Sequence, residues 1–170
     1  GGKIGQRARS NSPVPEMPDA WDVISGPIGR WGDSWSAFFA YPDGSTRTPG
    51  KSPPLASASP ANSTLPDELT ADQAIRFLRS ARSDKPFFLA VGFFKPHLPF
   101  VAPSLDFAKY ARKKLPVPAL QSAPANAAKT PSVHGSGEMF RNYKHPGGAR
   151  KDKAWHRKLR QGYFAATSYV

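Results

Sequence analysis

KPFFLAVGFFKPHLPF, residues 85–100, is the stretch of sequence that decides the predicted fold. Its apolar part, residues 86–93, has the length and the β-branched and aromatic content of a strand buried on both faces, as in a parallel sheet. Lys95-Pro96-His97-Leu98-Pro99 follows at once, and its two prolines cannot continue a helix. The sequence therefore predicts a buried strand that ends in a stiff loop.

That loop would hold a cation and an imidazole at the carboxyl end of the strand. In open α/β sheets, ligands bind in the crevice beyond the carboxyl ends of the strands, so Lys95 and His97 are the first candidates for a functional site. A lysine ammonium can bind a phosphate- or sulfate-like oxyanion as a point charge. An imidazolium beside it could donate a proton to the bridging oxygen of an ester as that oxygen leaves.

A structural role is the alternative for both residues. A lone histidine is more often a hydrogen-bonded structural residue, but the flanking prolines and the nearby lysine favour function for His97. Lys95 either contacts the substrate or only extends its ammonium to solvent. The remaining histidines share polar, basic surroundings without the spacing of metal ligands, and we expect them to be exposed: His134, His145 and His156.

The charge of the chain is concentrated in its second half. The 170 residues contain 24 Lys and Arg against 12 Asp and Glu, and residues 101–170 hold 13 basic but only 3 acidic side chains. This imbalance suits an anionic partner, substrate or membrane surface, or simply a solvated face. The densest part, residues 141–160, has eight Lys or Arg and one Asp.

Composition excludes several classes of site. The sequence has no cysteine, which rules out disulfides, zinc–thiolate sites and a cysteine nucleophile in these 170 residues. No run approaches the roughly 20 apolar residues of a membrane span. The chain begins with Gly1 rather than methionine and ends inside a predicted helix. We therefore expect an internal part of a longer protein, whose targeting signal and oligomeric state the sequence does not reveal.

The sequence is predicted to form one part of a single catalytic domain in four segments. Residues 1–63, rich in Pro, Gly and Ser, are an irregular covering segment whose Trp21, Trp31 and Trp35 should lie across a core. Residues 64–114 are a helix–strand–loop–helix core, residues 115–151 a Pro/Ala-rich and then basic excursion, and residues 152–170 the start of a long helix. The helix that runs into a buried strand is half of a β-α-β unit and predicts a partly parallel sheet.

Three helices are predicted. The first spans residues 71–82, with Thr70 as N-cap and Gln73 completing a capping box, and its inward face is Ala71, Ala74, Ile75, Leu78 and Ala81. The second begins at Pro103, with Leu105, Ala108 and Ala111 inward. The last runs from about Asp152 to beyond Val170, and its buried face is Trp155, Leu159, Gly162, Ala166 and Tyr169.

Four sequence blocks closely resemble sulfatases of the iduronate-2-sulfatase type. They are Thr64-Leu65-Pro66-Asp67, the helix at residues 71–78, residues 86–100 with the GFFKPHLPF motif, and Arg160-Gln161-Gly162-Tyr163-Phe164-Ala165. Their order and spacing match that family, and GFFKPHLPF is the most specific. The resemblance covers about two thirds of the chain and is weakest over residues 25–60 and 115–150.

This resemblance implies an α/β, partial alkaline-phosphatase-like (sulfatase) fold with a mixed central sheet, flanking helices and many long loops. Family members hydrolyse sulfate esters, including those of sulfated sugars and glycans, with a formylglycine nucleophile and a bound Ca2+. The resemblance makes His97 a catalytic and substrate-binding residue that assists the leaving alcohol, and Lys95 a basic substrate-binding position beside it. Phe94 stands where some relatives have a second histidine. A periplasmic, secreted or lysosomal location is also implied.

The sequence departs from the family by what it lacks. It contains no C/S-x-P-x-R motif for the nucleophile and no paired aspartates for calcium, so we expect the metal ligands and the nucleophile outside this chain and the chain alone to be inactive. Two alternatives stay open at this point. One is a phosphate mono- or diester hydrolase of the same superfamily, and the other is a non-catalytic basic protein that binds a polyanion but has no recognisable nucleic-acid reader motif.

Overall fold

A computed structural model describes residues 21–26, 29–31, 34–60, 64–81, 84–111, 114–117, 119 and 137–170. After a short 3-10 helix at Gly29–Trp31, the regular elements are, in chain order, α1 (Ser34–Phe38), β1 (Leu55–Ala58), α2 (Pro66–Ser80), β2 (Phe100–Pro103), α3 (Ser104–Ala108), α4 (Glu138–Asn142) and α5 (Lys153–Tyr169). None of the described helices is long and apolar enough to cross a membrane.

The described sheet has two parallel strands. β1 pairs with β2 in the register Leu55 to Phe100 through Ala58 to Pro103, and α2 lies between the two strands in the chain. The predicted parallel sheet with a β-α-β connection is therefore confirmed. Its strands, however, are β1, from the segment predicted to be irregular, and β2, which follows the proline loop.

α5 packs against this small sheet through small residues. Gly162, Ala165 and Ala166 are buried, and a Cβ at Gly162 would lie 3.1 Å from the Cβ of Phe100 and 3.2 Å from that of Leu55. Asp152 caps the helix by accepting hydrogen bonds from the backbone N–H groups of Ala154 and Trp155. The predicted start of this helix and the close approach at Gly162 are confirmed.

The core joins the aromatic segment around α1 to the proline loop. It comprises Trp31, Ala37, Phe38, Phe39, Ala40, Tyr41, Ala58, Leu65, Phe94 and Val101. The prediction that the early tryptophans lie across a core holds for Trp31, which is 5% exposed, but is wrong for Trp35, which is 44% exposed. Phe94 and Val101, on either side of the proline loop, belong to this cluster, so buried apolar packing holds the loop at both ends.

The prediction of a buried strand at residues 86–93 is wrong, because this segment neither pairs with a described strand nor is buried on both faces. The segment forms no ladder with any described residue, and Phe88 is 81% exposed and Phe87 53% exposed. Its contacts are ring contacts instead: Phe87 packs edge-on against Phe77 of α2, and Phe88 stacks on Trp21. An apolar run indicates a preference for burial, but a strand also needs a neighbouring strand to bond.

The predicted start of the first helix is also wrong. α2 begins at Pro66 rather than Ala71, because proline at the first helical position is already preorganised and lacks only an N–H that has no helical partner. Thr70 lies inside the helix, where its hydroxyl donates to the carbonyl of Pro66. The expected inward face is likewise exposed in its second half, at Ile75 (43%) and Leu78 (52%).

The second predicted helix is shorter than expected and turned differently. α3 spans only residues 104–108, Pro103 is its N-cap, and Leu105 is 72% exposed whereas Asp106 is buried. Asp106 accepts a hydrogen bond from Lys109 Nζ at 2.6 Å. The apolar spacing of Leu105 and Ala108 therefore did not mark the inward face.

Candidate active site

Asp67 fixes the start of the loop that carries the candidate site. This carboxylate, 3% exposed in the first turn of α2, accepts hydrogen bonds from the backbone N–H of Phe94 at 2.7 Å and of Lys95 at 2.8 Å. Burial raises the pKa of Asp67, and the two backbone bonds and the nearby Lys95 oppose that rise. Asp67 thus ties the helix to the loop across 27 positions of sequence.

The first turn of α2 is held from a second side by α5. The N-cap residue Leu65 offers no side-chain acceptor, and the backbone N–H of Glu68 instead donates to the hydroxyl of Tyr169 at 2.9 Å. This bond satisfies one of the N–H groups that a helix start leaves unpaired. The helix turn that carries Asp67 is therefore itself fixed by a tertiary contact.

Lys95 points into the protein. Its side chain is buried, and Nζ donates to the carbonyl of Pro99 at 2.7 Å and to that of His97 at 3.3 Å. Burial lowers the pKa of Lys95 to about 8, and the Asp67 carboxylate partly offsets this. The ammonium therefore closes the Pro96–Pro99 loop on itself, and both the Lys95–Pro96 and the Leu98–Pro99 peptide bonds are cis.

His97 lies on the same loop, and a hydrogen bond fixes its Nδ1. Nδ1 is 2.7 Å from the carbonyl oxygen of Leu98, and because a carbonyl only accepts, Nδ1 carries the proton in this bond. The ring packs on Phe38, with centroids 4.3 Å apart, and one third of the side chain is exposed. Nε2 is then the nitrogen that gains or loses a proton.

Glu138, the first residue of α4, faces that nitrogen. Its Oε2 is 3.8 Å from Nε2 of His97, a distance for charge attraction rather than a direct hydrogen bond. Its Oε1 accepts from Arg47 Nη1 at 2.9 Å, and the Arg47 guanidinium lies 3.6 Å from the centre of the Phe39 ring. A negative charge that favours the imidazolium is thus itself held by a stacked arginine.

Sequence reasoning identified part of this arrangement. Lys95 and His97 are on one loop as predicted, but their side chains do not converge on one open position: Nζ turns inward and Nε2 turns towards Glu138. Glu138 and Arg47 were missed, since they come from the segments predicted to be irregular and no local pattern links them to His97. Asp67 was noted only as part of a motif.

The two other histidines that the structure describes are not alike in their exposure to solvent. His145 is exposed as expected, His156 is half-buried, and His134 lies outside the described residues. Within the described part of the chain, no three His, Cys, Asp or Glu side chains group to hold a metal ion. The carboxylate nearest the loop start, Asp67, already accepts two backbone bonds.

Comparison with known proteins gives related sequences. Mouse iduronate 2-sulfatase is 34% identical over 125 residues, and human iduronate 2-sulfatase is 36% identical over 115 residues. The chain is related to sulfatases of the iduronate-2-sulfatase type. These alignments cover 69% and 63% of this chain but only 22% and 20% of the mouse and human proteins, so the chain spans about a fifth of their length.

A further relative has a broader name. The multifunctional alkaline phosphatase superfamily protein PehA of Trinickia caryophylli is 33% identical over 96 residues, which is 53% of this chain and 17% of that protein. No protein-family model matches the chain. The resemblance to iduronate-2-sulfatase-type sulfatases is therefore confirmed, with a superfamily member of wider activity among the relatives.

Proposed function

We propose that the complete protein carrying this chain hydrolyses sulfate esters and that His97 protonates the leaving alcohol. The observation that carries the proposal is the state of the His97 ring. Nδ1–H is fixed on the Leu98 carbonyl, and Nε2 can carry the second proton beside Glu138. An imidazolium poised in this way is a general acid for the oxygen that leaves.

The proposed step balances without a redox partner. The bond between sulfur and the bridging oxygen breaks, the electron pair stays on that oxygen, and the Nε2 proton of His97 neutralises it as the alcohol departs. Water then supplies the oxygen and one proton that complete the free hydrogensulfate, and its other proton returns to Nε2 of His97. Glu138 stabilises the charged ring before transfer, and the Arg47 contact keeps this carboxylate from repelling the anionic ester at full strength.

The nucleophile and the calcium ion implied by the family do not fit the described residues. No cysteine and no C/S-x-P-x-R motif occur in the chain, and the described acidic residues form no metal-sized cluster. In this proposal both are supplied by other sequence of the complete protein, and the chain alone does not turn over substrate. Lys95 acts there by holding the loop, and its contact with substrate stays a prediction.

The finer expectations from the family belong to the same proposal. The two-strand parallel sheet with α5 packed on it would form part of a larger alkaline-phosphatase-like mixed sheet. Sulfated sugars would be the substrates, and a secreted, periplasmic or lysosomal location would follow. Support comes from the mouse and human relatives, both of which are iduronate 2-sulfatases.

Phosphate ester hydrolysis is the second candidate. It is favoured by the relative named multifunctional alkaline phosphatase superfamily protein, and a leaving oxygen needs the same proton in both reactions. Turnover of matched aryl sulfate and aryl phosphate by the complete protein separates the two. We expect a higher kcat/KM for the sulfate, and preference for the phosphate would reject the sulfatase proposal.

The role of Glu138 gives a test that is specific to this geometry. In Glu138→Gln, the loss of the negative charge 3.8 Å from Nε2 makes the imidazolium less stable. The alkaline limb of the pH–rate profile should therefore move to lower pH. The matched control is Glu68→Gln, an exposed carboxylate of α2, for which the profile should stay in place. A Glu138→Gln profile that coincides with that control would contradict the assigned role.

A further inference from the structure

An exposed basic surface lies next to the candidate site on the segment that contains α4 and the start of α5. We define this basic surface by six side chains that are all solvent-exposed: Arg141, Lys144, Arg150, Lys151, Lys153 and Lys158. Within the described residues none of them forms an ion pair with a carboxylate. The acidic residues of the same segment are used elsewhere, Glu138 by Arg47 and Asp152 as the cap of α5.

Aromatic contacts fold this segment into a fixed shape. The Phe140 ring lies 5.4 Å from that of His145 and 5.9 Å from that of Trp155, and the Arg150 guanidinium is 3.9 Å from the Phe140 centroid. The turn between α4 and α5 is thereby closed around Phe140. The cations are consequently held on one structured unit rather than spread along an extended tail.

Helix electrostatics favours Arg141, in the last turn of α4, but does not account for Lys151 and Lys153. Lys151 precedes the N-cap of α5, and Lys153 is its first residue, where the helix dipole disfavours positive charge. Cations at a helix C-terminus, by contrast, would be favoured by the same dipole. Lys151 and Lys153 therefore carry a local electrostatic cost that an anionic partner would remove.

The same segment is anchored beside His97. Glu138 at the start of α4 faces the imidazole, and the backbone N–H of Lys144 donates to the carbonyl of Ser52 at 2.9 Å. α4 is only five residues long, so the basic surface begins within one or two turns of the candidate site. A long anion bound on this surface could reach the site with a neighbouring group.

We propose that the basic surface is a docking site for a linear chain of sulfated sugars, distinct from the position of the reacting ester. Sulfate groups along such a chain would contact cations of this surface while one ester lies at His97. The choice of sulfated sugars as the partner rests on the proposed sulfatase function. The existence of an anion-binding surface rests only on the exposed cations, which have no carboxylate partner among the described residues, and on their fixed arrangement.

Two other classes of anionic partner fit the surface less well. Single-stranded nucleic acids stack bases on free aromatic faces, but Phe140 is covered by Arg150 and packed against His145. A membrane surface requires an exposed apolar face beside the cations, and the described residues 137–160 contain no exposed large hydrophobic side chain.

The test uses the complete protein and heparin as the sulfated probe. The variant replaces Lys144, Lys151, Lys153 and Lys158 by Gln, and the matched control replaces four exposed cations elsewhere, Arg76, Arg79, Lys85 and Lys114, by Gln. Both variants lose the same net charge. At 0.15 M salt we expect heparin affinity to fall about tenfold or more in the variant, with a shallower salt dependence, and less than about threefold in the control.

Comparison probes make the outcome decisive. The wild-type protein should bind heparin more tightly than duplex DNA or vesicles with about 30% anionic lipid, and equal or tighter binding to either would overturn the assignment to sulfated sugars. Equal losses in the two variants would overturn the location. Heparin binding needs no turnover, so a protein that binds heparin through this surface but cleaves no sulfate ester would refute only the proposed function.

Discussion

At the scale of single residues, Asp67 fixes the position of the loop that carries His97 although it lies outside that loop. One carboxylate accepts hydrogen bonds from the N–H groups of both Phe94 and Lys95, where the loop that carries His97 begins. A carboxylate can accept both bonds at once, whereas an amide has only one oxygen. Position 67 therefore controls where the imidazole lies without touching it.

Replacement of Asp67 by Asn should destabilise the protein. The amide that replaces the carboxylate would leave one buried N–H without an acceptor, which costs about 1–3 kcal/mol. Glu68→Gln is the control, because it removes an acidic side chain from the same helix turn while the Glu68 side chain is exposed. Urea denaturation of the complete protein measures both changes. Equal stability of the two variants would contradict the role assigned to the two hydrogen bonds of Asp67.

Lys95 gives a pH dependence with a defined sign. Its pKa is about 8 in the folded protein, against 10.5 for an unperturbed lysine, so between these values the unfolded chain holds more protons. Between these two pH values, the free energy of unfolding must therefore rise with pH, by roughly 3 kcal/mol in total. Below about pH 8, the full cost of burying the charged ammonium destabilises the folded protein. Burial of the ammonium is the cause.

Lys95→Met isolates this effect, since it removes the titrating group. As pH rises from about 8 to about 9.5, we expect the unfolding free energy of the wild-type protein to increase relative to that of the variant. Burial also raises the pKa of tyrosines such as Tyr143, to about 12. Because both proteins contain these tyrosines, their contribution cancels when the unfolding free energy of the variant is subtracted from that of the wild type. Parallel stability curves over this range would show that Lys95 is not held as described.

At the scale of elements, the small residues of α5 determine how closely it packs on the sheet. Gly162→Val would place its first side-chain carbon 3.1 Å from Phe100 Cβ, so the helix or β2 must move. Overpacking of this kind costs about 1–3 kcal/mol. Thr167→Val, an exposed site on the same helix, is the control and should change stability by less than about 0.5 kcal/mol. Thermal unfolding measures both changes. Equal losses of stability in the two variants would refute the close packing of Gly162 on Phe100 and Leu55.

Elements could be predicted from the sequence where one local signal was sufficient. α5 combines a cap at Asp152 with an apolar stripe, so its start could be predicted. Of its predicted buried face, Gly162 and Ala166 are buried, but Trp155, Leu159 and Tyr169 are only half-buried. Residues 86–93 show the limit of this reasoning, because their apolar character indicated burial but no local signal reveals which strand would bond to them. The start of α2 was missed because a capping pattern at Thr70 competed with Pro66, and proline at the first position prevailed.

The candidate site shows the same division. His97 and Lys95 could be predicted because the prolines and the position in the chain are local features. The partners that define their chemistry could not, since Asp67, Glu138 and Arg47 reach the loop from distant parts of the sequence. Spacing also could not reveal that the Lys95 ammonium turns towards two carbonyls of its own loop.

At the scale of the whole molecule, charge and function are arranged around one loop. The net charge of +12 is concentrated in the second half, and the basic surface there begins beside the His97 site. A positive field of this kind increases the encounter rate of anionic substrates, and salt weakens it. The basic surface would thus bind a polyanion while one of its sulfate esters lies next to the His97 imidazolium.

The central claim is that His97 protonates the leaving oxygen, and leaving-group dependence in the complete protein tests it most directly. In His97→Ala, kcat for an alkyl sulfate, whose alkoxide needs a proton, should fall by about 100-fold or more. For 4-nitrophenyl sulfate, whose phenolate leaves without one, the loss should be much smaller. Equal losses for both esters, or near-normal hydrolysis of the alkyl sulfate, would contradict the account.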